Sequence, residues 1–524
     1  MSDTASARFD RFLRWRCALA EPPLEVDFAL SGLEEGHVDA MRPRLTAALE
    51  AMQALEGGAI ANPDEGRMVG HYWLRAPELA PEPEMGQAIR EALAQVKALA
   101  ADVHSGAIAP PEGGRFRHAV LVGIGGSALG PMLVADALGA AESALSVTAI
   151  DNTDPDGIDR TLARLGSLRE VMVLVTSKSG STPETRNGML EVQHACRQQG
   201  LDFAKRAIAI TQEGSALAQR ADAEGWIARF PMWDWVGGRT SELSAVGLLP
   251  AALHGVDVDA MLAGARAVDA ATREPDPRHN PAALLALWWH AQSNGRGERA
   301  MVVLPYKDRL LLLSRYLQQL VMESLGKQLD RKGKTVHQGL TVYGNKGSTD
   351  QHAYVQQLRD GRPDFFAVFV RELRDRDGPS IEVEEGATSG DFLHGFLLGT
   401  RAALAEVKRT SVTITVPRLD AGAMGGLIAL FERAVGLYGE LVDINAYHQP
   451  GVEAGKRAAK VVLELQARVV AALGASPQLC TAIAGAADAD PADVWPLLEH
   501  LAATRDDVQQ RGADPALATF ARGA

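Results

Sequence analysis

Short apolar runs alternate with amphipathic stretches from about residue 116 to residue 475. The runs are rich in valine, isoleucine and leucine and have the length of buried parallel strands, and the stretches between them have helical periodicity. This alternation predicts a doubly wound α/β architecture with binding sites at the carboxyl ends of the strands. The predicted strands are His118–Val122, Leu145–Ile150, Val171–Val175, Arg206–Ile210, Arg299–Leu304, Phe365–Val370 and Ser411–Val416.

Two α/β subdomains with parallel sheets are therefore predicted between helical ends. Residues 1–115 are Ala-, Leu- and Glu-rich and predict a mostly helical segment. The first subdomain spans 116–280, and the second, 281–475, begins after an Asn-Pro pair. The tail, 476–524, reads as three short helices. Its stretch ADPADVWPLLEHLAATRDD is similar to one unit of a winged-helix module, but without a basic patch it indicates a packing element.

Composition narrows the class of protein. The 53 Lys and Arg against 66 Asp and Glu leave a formal charge of −13, which disfavours nucleic-acid binding. Cys17, Cys196 and Cys480 lack metal-type spacing and fit a reducing compartment. No apolar run reaches the ~18 residues of a membrane span, and the N-terminus lacks a signal-peptide core. We expect a cytoplasmic protein that binds neither nucleic acid nor membrane.

The stretch VMVLVTSKSGSTPET joins a predicted strand to a helix through a loop rich in hydroxyl groups. Pro183 suits the first helical position and Thr182 its N-cap. Backbone N–H groups, the positive end of the helix dipole and the hydroxyls would then face one point, which is the chemistry of a phosphate cradle. An ordinary capped turn is the alternative. The hydroxyl-bearing residues are Ser177, Ser179, Ser181 and Thr182.

The glycine-rich turn after the first strand permits two functional interpretations. Gly123-x-Gly125-x-x-Ala128 matches the dinucleotide fingerprint, and Asp151 ends the next strand, where a ribose partner would lie. Alternatively, the turn lets the backbone approach a sugar or its phosphate. The Walker A lysine is missing, which disfavours ATP chemistry. A turn kept glycine-rich for tight packing is the third possibility.

The loop Trp233-Asp-Trp-Val-Gly-Gly-Arg239 combines aromatic, flexible and cationic residues. Its glycines allow close backbone approach to a ligand, and Arg239 is suited to stabilising negative charge. An aromatic packing loop with an exposed arginine would have the same composition.

A long helix is predicted from about Asp308 to Leu329, with Glu323 at the shoulder of its apolar stripe. A carboxylate there would be partly desolvated and suited to act as a general base. The competing interpretation is an i,i+4 pair with Lys327 on a solvated face.

Further candidates are polar residues near turns. His352 ends a polar loop that starts at Gly344 and is suited either to act as a proton shuttle or to cap a helix. The same two interpretations apply to His394 and His448. Lys456 follows two glycines near a helix start, where a solvated surface lysine is the alternative.

In this order, the segments resemble the glucose-6-phosphate isomerase family over nearly the whole chain. The resemblance implies two sugar-isomerase-type α/β subdomains, a homodimer, a sugar-phosphate substrate, and no metal or other cofactor. It is carried by ANPDEGRMVGHYWLR, VGIGGSALGP, TSKSGSTPET, WDWVGGRTS, MESLGK, GSTDQHAYVQQL and QPGVEAGK.

The resemblance also assigns roles by position. Arg239 matches the arginine that stabilises the enediolate, and Lys456 matches the lysine that assists ring opening. The residues that match the family's phosphate-binding positions are Ser177, Ser179, Ser181 and Thr182. Those that match the lining of the sugar site are Gly125, Gly126 and Ser127. Gln449 matches a substrate-binding position.

The general base is where the sequence departs from the family pattern. Many members have a glutamate at the position of Asn345, and an amide cannot take a proton from a sugar carbon. In a branch with a shorter loop, the equivalents of Glu323 and His352 are catalytic, so the resemblance ranks Glu323 as the base and His352 as the ring-opening partner. His394 corresponds to another family histidine and stays an alternative.

The implied reaction is the reversible isomerisation of glucose 6-phosphate and fructose 6-phosphate through a cis-enediolate. Three alternatives stay open. A related sugar-phosphate isomerase would share the phosphate loop but lack the tryptophan–arginine loop, a dehydrogenase would bind nicotinamide at the glycine turn, and a non-catalytic sensor would lack the base.

Overall fold

The computed structural model describes residues 5–139 and 144–523. The chain forms two compact units, Met1–His448 and Gln449–Ala524. The predicted boundaries at residues 115, 280 and 475 divide the chain differently and stay predictions. Within the described residues, none of the helices combines the length and the apolar character needed to cross a bilayer.

The N-terminal segment contains a β-hairpin that the sequence analysis missed. Its helices are α1 (Ala5–Arg14), α2 (Glu35–Glu56) and α3 (Pro83–Ser105), and its strands are β1 (Arg16–Leu19) and β2 (Leu24–Asp27). Each strand has only four residues, too few for an alternating pattern to stand out. The prediction of a mostly helical segment is therefore wrong for this hairpin.

The first α/β subdomain is built on a five-stranded, wholly parallel sheet with the order β4-β3-β5-β6-β7. The sequence predicted all of these strands except the last, a four-residue edge strand that ends in a proline. The elements are β3 (His118–Val122), α4 (Leu129–Leu138), β4 (Ser146–Ile150), α5 (Pro155–Leu165), β5 (Val171–Thr176), α6 (Pro183–Gln198), β6 (Ala207–Thr211), α7 (Ala216–Glu224), β7 (Ala228–Pro231), α8 (Ala245–His254) and α9 (Val258–Ala271).

The second subdomain has a mixed six-stranded sheet with the order β1-β2-β15-β12-β8-β11, so the prediction of a purely parallel sheet is wrong at one edge. Strands β11, β8, β12 and β15 are parallel, and the hairpin joins β15 in antiparallel pairing. The elements are α10 (Pro281–Gln292), β8 (Ala300–Tyr306), α11 (Leu313–Leu317), β9 (Lys327–Leu329), β10 (Thr335–Gln338), β11 (Val342–Tyr343), α12 (Val355–Asp360), β12 (Phe365–Glu372), β13 (Glu382–Glu384), β14 (Ala387–Thr388), α13 (Ser389–Glu406), β15 (Ser411–Val416) and α14 (Ala421–Leu441).

The long helix predicted from Asp308 to Leu329 is broken in the structure. A 3₁₀ turn at Asp308–Leu310 precedes α11, and α11 passes directly into a π-helix, Gln318–Glu323. The chain then enters β9. Continuous apolar periodicity predicts helix but does not distinguish the 3.6-residue turn from a wider one.

Helix α14 lies at the centre of the unit and is buried almost all round. It packs closely against α9, where a Cβ on Gly425 would lie 1.9 Å from the carbonyl oxygen of Met261. Arg75 links the N-terminal segment to both helices, because its guanidinium bonds both Asp269 carboxylate oxygens and contacts Glu432. This buried charge network connects the N-terminal segment to α9 and α14.

The second unit differs from the predicted three-helix tail. It contains helices α15 (Pro450–Ala472), α16 (Cys480–Ala486) and α17 (Pro491–Thr504), and an antiparallel sheet of the order β16-β18-β17. The core of the unit includes Leu465 and Val469 of α15, so the unit begins before residue 476. The strands, which replace the third predicted helix, are β16 (Gln478–Leu479), β17 (Val508–Arg511) and β18 (Thr519–Arg522).

Candidate active site

The hydroxyl-rich loop between β5 and α6 has the form of an anion cradle. Thr182 is the N-cap residue of α6, as predicted, but its hydroxyl does not cap the helix. It instead accepts a 3.0 Å hydrogen bond from Ser177 Oγ. The first-turn N–H groups are therefore left without a side-chain cap, which is the arrangement that binds phosphate at helix N-termini.

The same loop turns sharply at Gly180, whose φ of +70° favours glycine. The Gly180 N–H donates to Ser177 Oγ at 3.1 Å, and the exposed hydroxyls of Ser179 and Ser181 lie 3.0 Å apart. These hydroxyls supply further donors at the mouth of the cradle.

Lys178, which the sequence analysis did not single out, connects this loop to the tryptophan–arginine loop. Its Nζ donates to the carbonyl oxygens of Asp234 at 2.8 Å and Val236 at 3.1 Å. Burial, together with the charge of Arg67, lowers the pKa of Lys178 to about 8. The lysine between two serines was the available sequence signal, but its partners lie more than fifty residues away.

The glycine turn after β3 meets the tryptophan–arginine loop backbone to backbone. A Cβ on Gly126 would lie 1.8 Å from the carbonyl oxygen of Gly238, and one on Gly125 would lie 2.8 Å from Gln319 Nε2. Ser127 completes this short 3₁₀ turn. The glycines are thus required by close packing, which also brings the turn beside Arg239.

Arg239 is buried, so the alternative of an exposed arginine in a packing loop is wrong. Its side chain is 4% exposed, and Nε donates to Ser324 Oγ at 2.7 Å. One terminal nitrogen donates to the carbonyl oxygens of Ala446 and His448. The other lies 3.8 Å from Glu323 Oε2. Burial lowers the pKa of Arg239, and the charge of Glu323 opposes that shift.

Glu323 occupies the last position of the π-helix, and its side chain is 20% exposed. Gln319, four residues earlier, donates from Nε2 to Glu323 Oε2 at 3.1 Å. Gln319 is not among the residues predicted from the sequence, although its i,i+4 spacing from Glu323 was a signal for this pair. The carboxylate is therefore oriented on one side by an amide and on the other by Arg239.

The alternative of a solvated Glu323–Lys327 pair is also wrong. Lys327 is 4% exposed, and its Nζ donates to the backbone carbonyl oxygens of Glu323 and Ser324, each at 2.7 Å. Lys327 therefore bonds the backbone of Glu323 and not its carboxylate.

The three candidate histidines differ in their surroundings. His352 and His394 are exposed and make no side-chain hydrogen bond to another described residue. His448 is half-buried, with Nδ1 3.1 Å from the carbonyl oxygen of Asn445 and Nε2 3.9 Å from Asp64. Burial lowers the pKa of His448, and the cations Lys327 and Arg239 lower it further. Only His448 is thus joined to the Arg239–Glu323 pair within the first unit.

Asn345, at the position where many family members have a glutamate, is hydrogen-bonded to a neighbouring residue of its own loop. Its backbone N–H donates to Asp350 Oδ2 at 2.9 Å and its amide to Asp350 Oδ1 at 3.2 Å. An amide can make both bonds, whereas a carboxylate would face Asp350 with like charge.

Gln449 and Lys456 belong to the second unit. Gln449 is the N-cap residue of α15. The side chain of Lys456 lies outside the described residues, so the roles of both remain predictions.

The family model described as phosphoglucose isomerase matches residues 37–393 and 396–476. The chain belongs to the phosphoglucose isomerase family. This confirms the resemblance carried by the motifs.

Relatives of this phosphoglucose isomerase family member align along nearly its whole length. The glucose-6-phosphate isomerase of Thermosynechococcus vestitus is 58% identical over 517 residues, 98% of each chain. That of Geobacter sp. strain M21 is 58% identical over 495 residues, 93% of each chain. The crystal structure of glucose-6-phosphate isomerase from Chlamydia trachomatis superposes with a TM-score of 0.78 at 25% identity, covering 87% of this chain and 91% of that one. The predicted α/β architecture is confirmed.

Proposed function

We propose that this protein interconverts glucose 6-phosphate and fructose 6-phosphate by moving a proton between C2 and C1 of the open-chain sugar. The observation that carries the proposal is the pairing of Glu323 with buried Arg239, 3.8 Å apart, with Gln319 holding the carboxylate from the other side. A carboxylate suited to proton transfer thus stands next to a cation suited to the negative charge that develops. The relatives named above are glucose-6-phosphate isomerases.

Substrate binding is assigned to the cradle. The N-terminus of α6 and the hydroxyls of Ser177, Ser179, Ser181 and Thr182 receive the phosphate, which fixes the position of the sugar by proximity. Gly125, Gly126 and Ser127 are placed at the lining of the sugar site, as the family resemblance implies, in the turn that packs beside Arg239. This part of the site anchors the substrate and transfers no proton.

Proton transfer is assigned to Glu323. Its carboxylate takes the C2 proton of the aldose, and the electrons of that C–H bond form the C1–C2 double bond of the cis-enediolate. The negative oxygen faces Arg239. The protonated carboxyl then returns the proton to C1 while a hydroxyl proton passes from O2 to O1, which gives the ketose.

Ring opening is assigned to His352 with Lys456, and Gln449 is placed among the substrate-binding residues. Assembly as a homodimer, a cytoplasmic location and a reaction without metal belong to the same proposal. The free thiols of Cys17, Cys196 and Cys480 agree with a reducing compartment.

The test is a coupled assay of glucose 6-phosphate formation from fructose 6-phosphate in the presence of EDTA, with wild type and Glu323→Gln. We expect wild-type turnover and a loss of at least ~10³-fold in kcat in the variant, with substrate still bound, because the amide cannot accept the proton. Near-normal turnover of the variant would place the base elsewhere. Binding without turnover in the wild type would favour the sensor.

A further inference from the structure

The backbone that carries Glu323 ends in a turn whose last carbonyls need hydrogen-bond partners from outside the helix. The π-helix Gln318–Glu323 is followed within four residues by β9. The Gly326 N–H donates to the carbonyl oxygen of Met322 at 2.8 Å, so the next carbonyls in the chain are those of Glu323 and Ser324. Carbonyls at a helix end lack partners within the helix, and π-turns occur frequently at functional sites.

The side chain of Lys327 supplies those partners. Its Nζ lies 2.7 Å from each of the two carbonyl oxygens, and the residue is 4% exposed. A buried ammonium is costly unless it is hydrogen-bonded, and the negative end of a helix is where it is best accommodated. Lys327 therefore caps the carbonyl end of the turn that carries Glu323.

The other charged groups around Lys327 belong to the candidate active site. Burial and the charge of Arg239 together lower the pKa of Lys327 to about 7, against the opposing charge of Glu323. His448 is influenced in turn by the charge of Lys327. Arg239 also donates to Ser324 Oγ, so the residue after Glu323 is held from two sides.

We propose that Lys327 is a positioning residue for the Glu323 carboxylate: by holding the carbonyls of Glu323 and Ser324, it keeps the π-turn and the Arg239–Ser324 contact in the geometry that proton transfer requires. The inference rests on the proposed function, in which Glu323 is the base. Displacement of a reacting group by about 1 Å costs on the order of 100-fold in rate. Among the described residues, the hydrogen bonds of Lys327 Nζ go to backbone carbonyls, so its contribution reaches the substrate through Glu323.

A purely structural lysine would give different kinetics. It would lower thermal stability and reduce the amount of folded enzyme, but the enzyme that remained folded would have normal kcat. A positioning lysine changes kcat in folded enzyme and acts only while the Glu323 carboxylate is present. These two consequences separate the interpretations.

The first experiment compares Lys327→Met, Lys327→Gln and Lys327→Arg with wild type, at a folded fraction verified by circular dichroism. We expect kcat of Lys327→Met to fall by roughly 10- to 100-fold while KM changes by less than about threefold, because the phosphate loop is untouched. Lys327→Arg should recover part of the loss, because a guanidinium can donate to two carbonyls. Lys327→Gln provides the same comparison if the methionine variant does not fold.

The matched control is Lys178→Met. Lys178 also donates from Nζ to two backbone carbonyls, but its side chain is 24% exposed and it lies in the phosphate loop. We expect this variant to raise KM more than it lowers kcat, the opposite of Lys327→Met. Equal effects of both substitutions on kcat and KM would overturn the proposal.

Two further measurements address proton transfer itself. With glucose 6-phosphate deuterated at C2, the isotope effect on kcat should be larger for Lys327→Met than for wild type, because proton abstraction becomes more rate-limiting. The double variant Glu323→Gln/Lys327→Met should be no slower than Glu323→Gln alone, because the effects of residues that act as a unit are not additive.

The outcomes distinguish the inference from the proposed function. If Glu323→Gln is nearly as active as wild type, the assignment of the base fails, and the inference with it. If Glu323→Gln is inactive but folded Lys327→Met keeps kcat within twofold of wild type, the inference alone is wrong. A double variant at least tenfold slower than Glu323→Gln would likewise overturn it.

Discussion

Arg239 Nε donates a 2.7 Å hydrogen bond to Ser324 Oγ, which fastens the loop after the first sheet to the residue that follows Glu323. The two residues are 85 positions apart and both are buried. The same guanidinium bonds the carbonyl of Ala446 and approaches the Glu323 carboxylate. A hydrogen bond to a neutral serine thus contributes to the position of the proposed cation beside the proposed base.

Replacing Ser324 with alanine should therefore lower kcat. The substitution removes one hydrogen bond of a buried guanidinium, and removing one partner of a buried hydrogen bond costs about 1–3 kcal/mol. We expect kcat to fall by roughly 5- to 100-fold with little change in KM, measured by steady-state assay. Ser293→Ala is the control, because Ser293 is equally buried but its hydroxyl bonds the carbonyl of Trp289 and the hydroxyl of Tyr438, away from the Arg239–Glu323 pair. A Ser324→Ala enzyme with wild-type kcat would contradict the expected role of this bond.

Removing a hydroxyl from the phosphate cradle should have the opposite kinetic signature. Ser177→Ala and Thr182→Ala break the 3.0 Å bond between the two hydroxyls and remove phosphate contacts. We expect KM to rise by about 5- to 20-fold while kcat at saturating substrate falls less than threefold, since the interaction is made equally in ground and transition states. Ser167→Ala, which removes an exposed cap elsewhere, should leave both constants unchanged. A selective loss of kcat would argue against a purely anchoring loop.

A glutamate introduced at Asn345 should not restore activity to Glu323→Gln. The Asn345 amide and N–H are both bonded to Asp350, and a carboxylate in that place would face Asp350 with like charge. We expect Glu323→Gln/Asn345→Glu to be as inactive as Glu323→Gln and Asn345→Glu alone to be less stable than wild type in thermal unfolding. Recovery of more than about a tenth of wild-type kcat would mean that the base position can move to this loop.

Protonation of the buried Asp269 should account for part of the loss of folding stability at low pH. Burial favours its neutral form, but the guanidiniums of Arg433 and Arg75 outweigh that effect and lower the pKa of Asp269 to about 2. Because the pKa is lower in the folded state than the ordinary value of ~3.9, the stabilisation is present above pH ~4 and is lost as the pH falls towards 2.

Asp269→Asn should weaken the dependence of folding stability on pH in the acid range (the acid slope). It should also leave two buried arginines without their shared counter-ion. Breaking a buried charge network costs roughly 3–5 kcal/mol, so the variant should unfold at a clearly lower temperature at pH 7. Thermal unfolding between pH 2.5 and 7 measures both effects. Asp156→Asn, at an exposed first-turn position of α5, is the control. A wild-type slope retained in Asp269→Asn would assign the acid sensitivity to other carboxylates.

The sequence alone determined the elements whose residues carry a complete local pattern. The buried strands His118–Val122 and Ser411–Val416 are confirmed at the predicted bounds, and Val171–Thr176 extends the prediction by one residue. The position of Thr182 before α6 followed from its proline neighbour. Each of these follows from interactions within a few residues or from burial on both faces of a strand.

Only the tertiary structure decided how the chemistry-bearing residues meet. The four-residue hairpin β1–β2 gains its partner in β15, almost 390 positions later, and no local pattern encodes that pairing. The break of the predicted helix into a π-turn, the burial of Lys327 and the hydroxyl bond between Ser177 and Thr182 depend on what packs around them. Apolar periodicity fixes which face of an element is buried, whereas the direction of a charged side chain is fixed by which carbonyl or carboxylate the folded chain brings within reach.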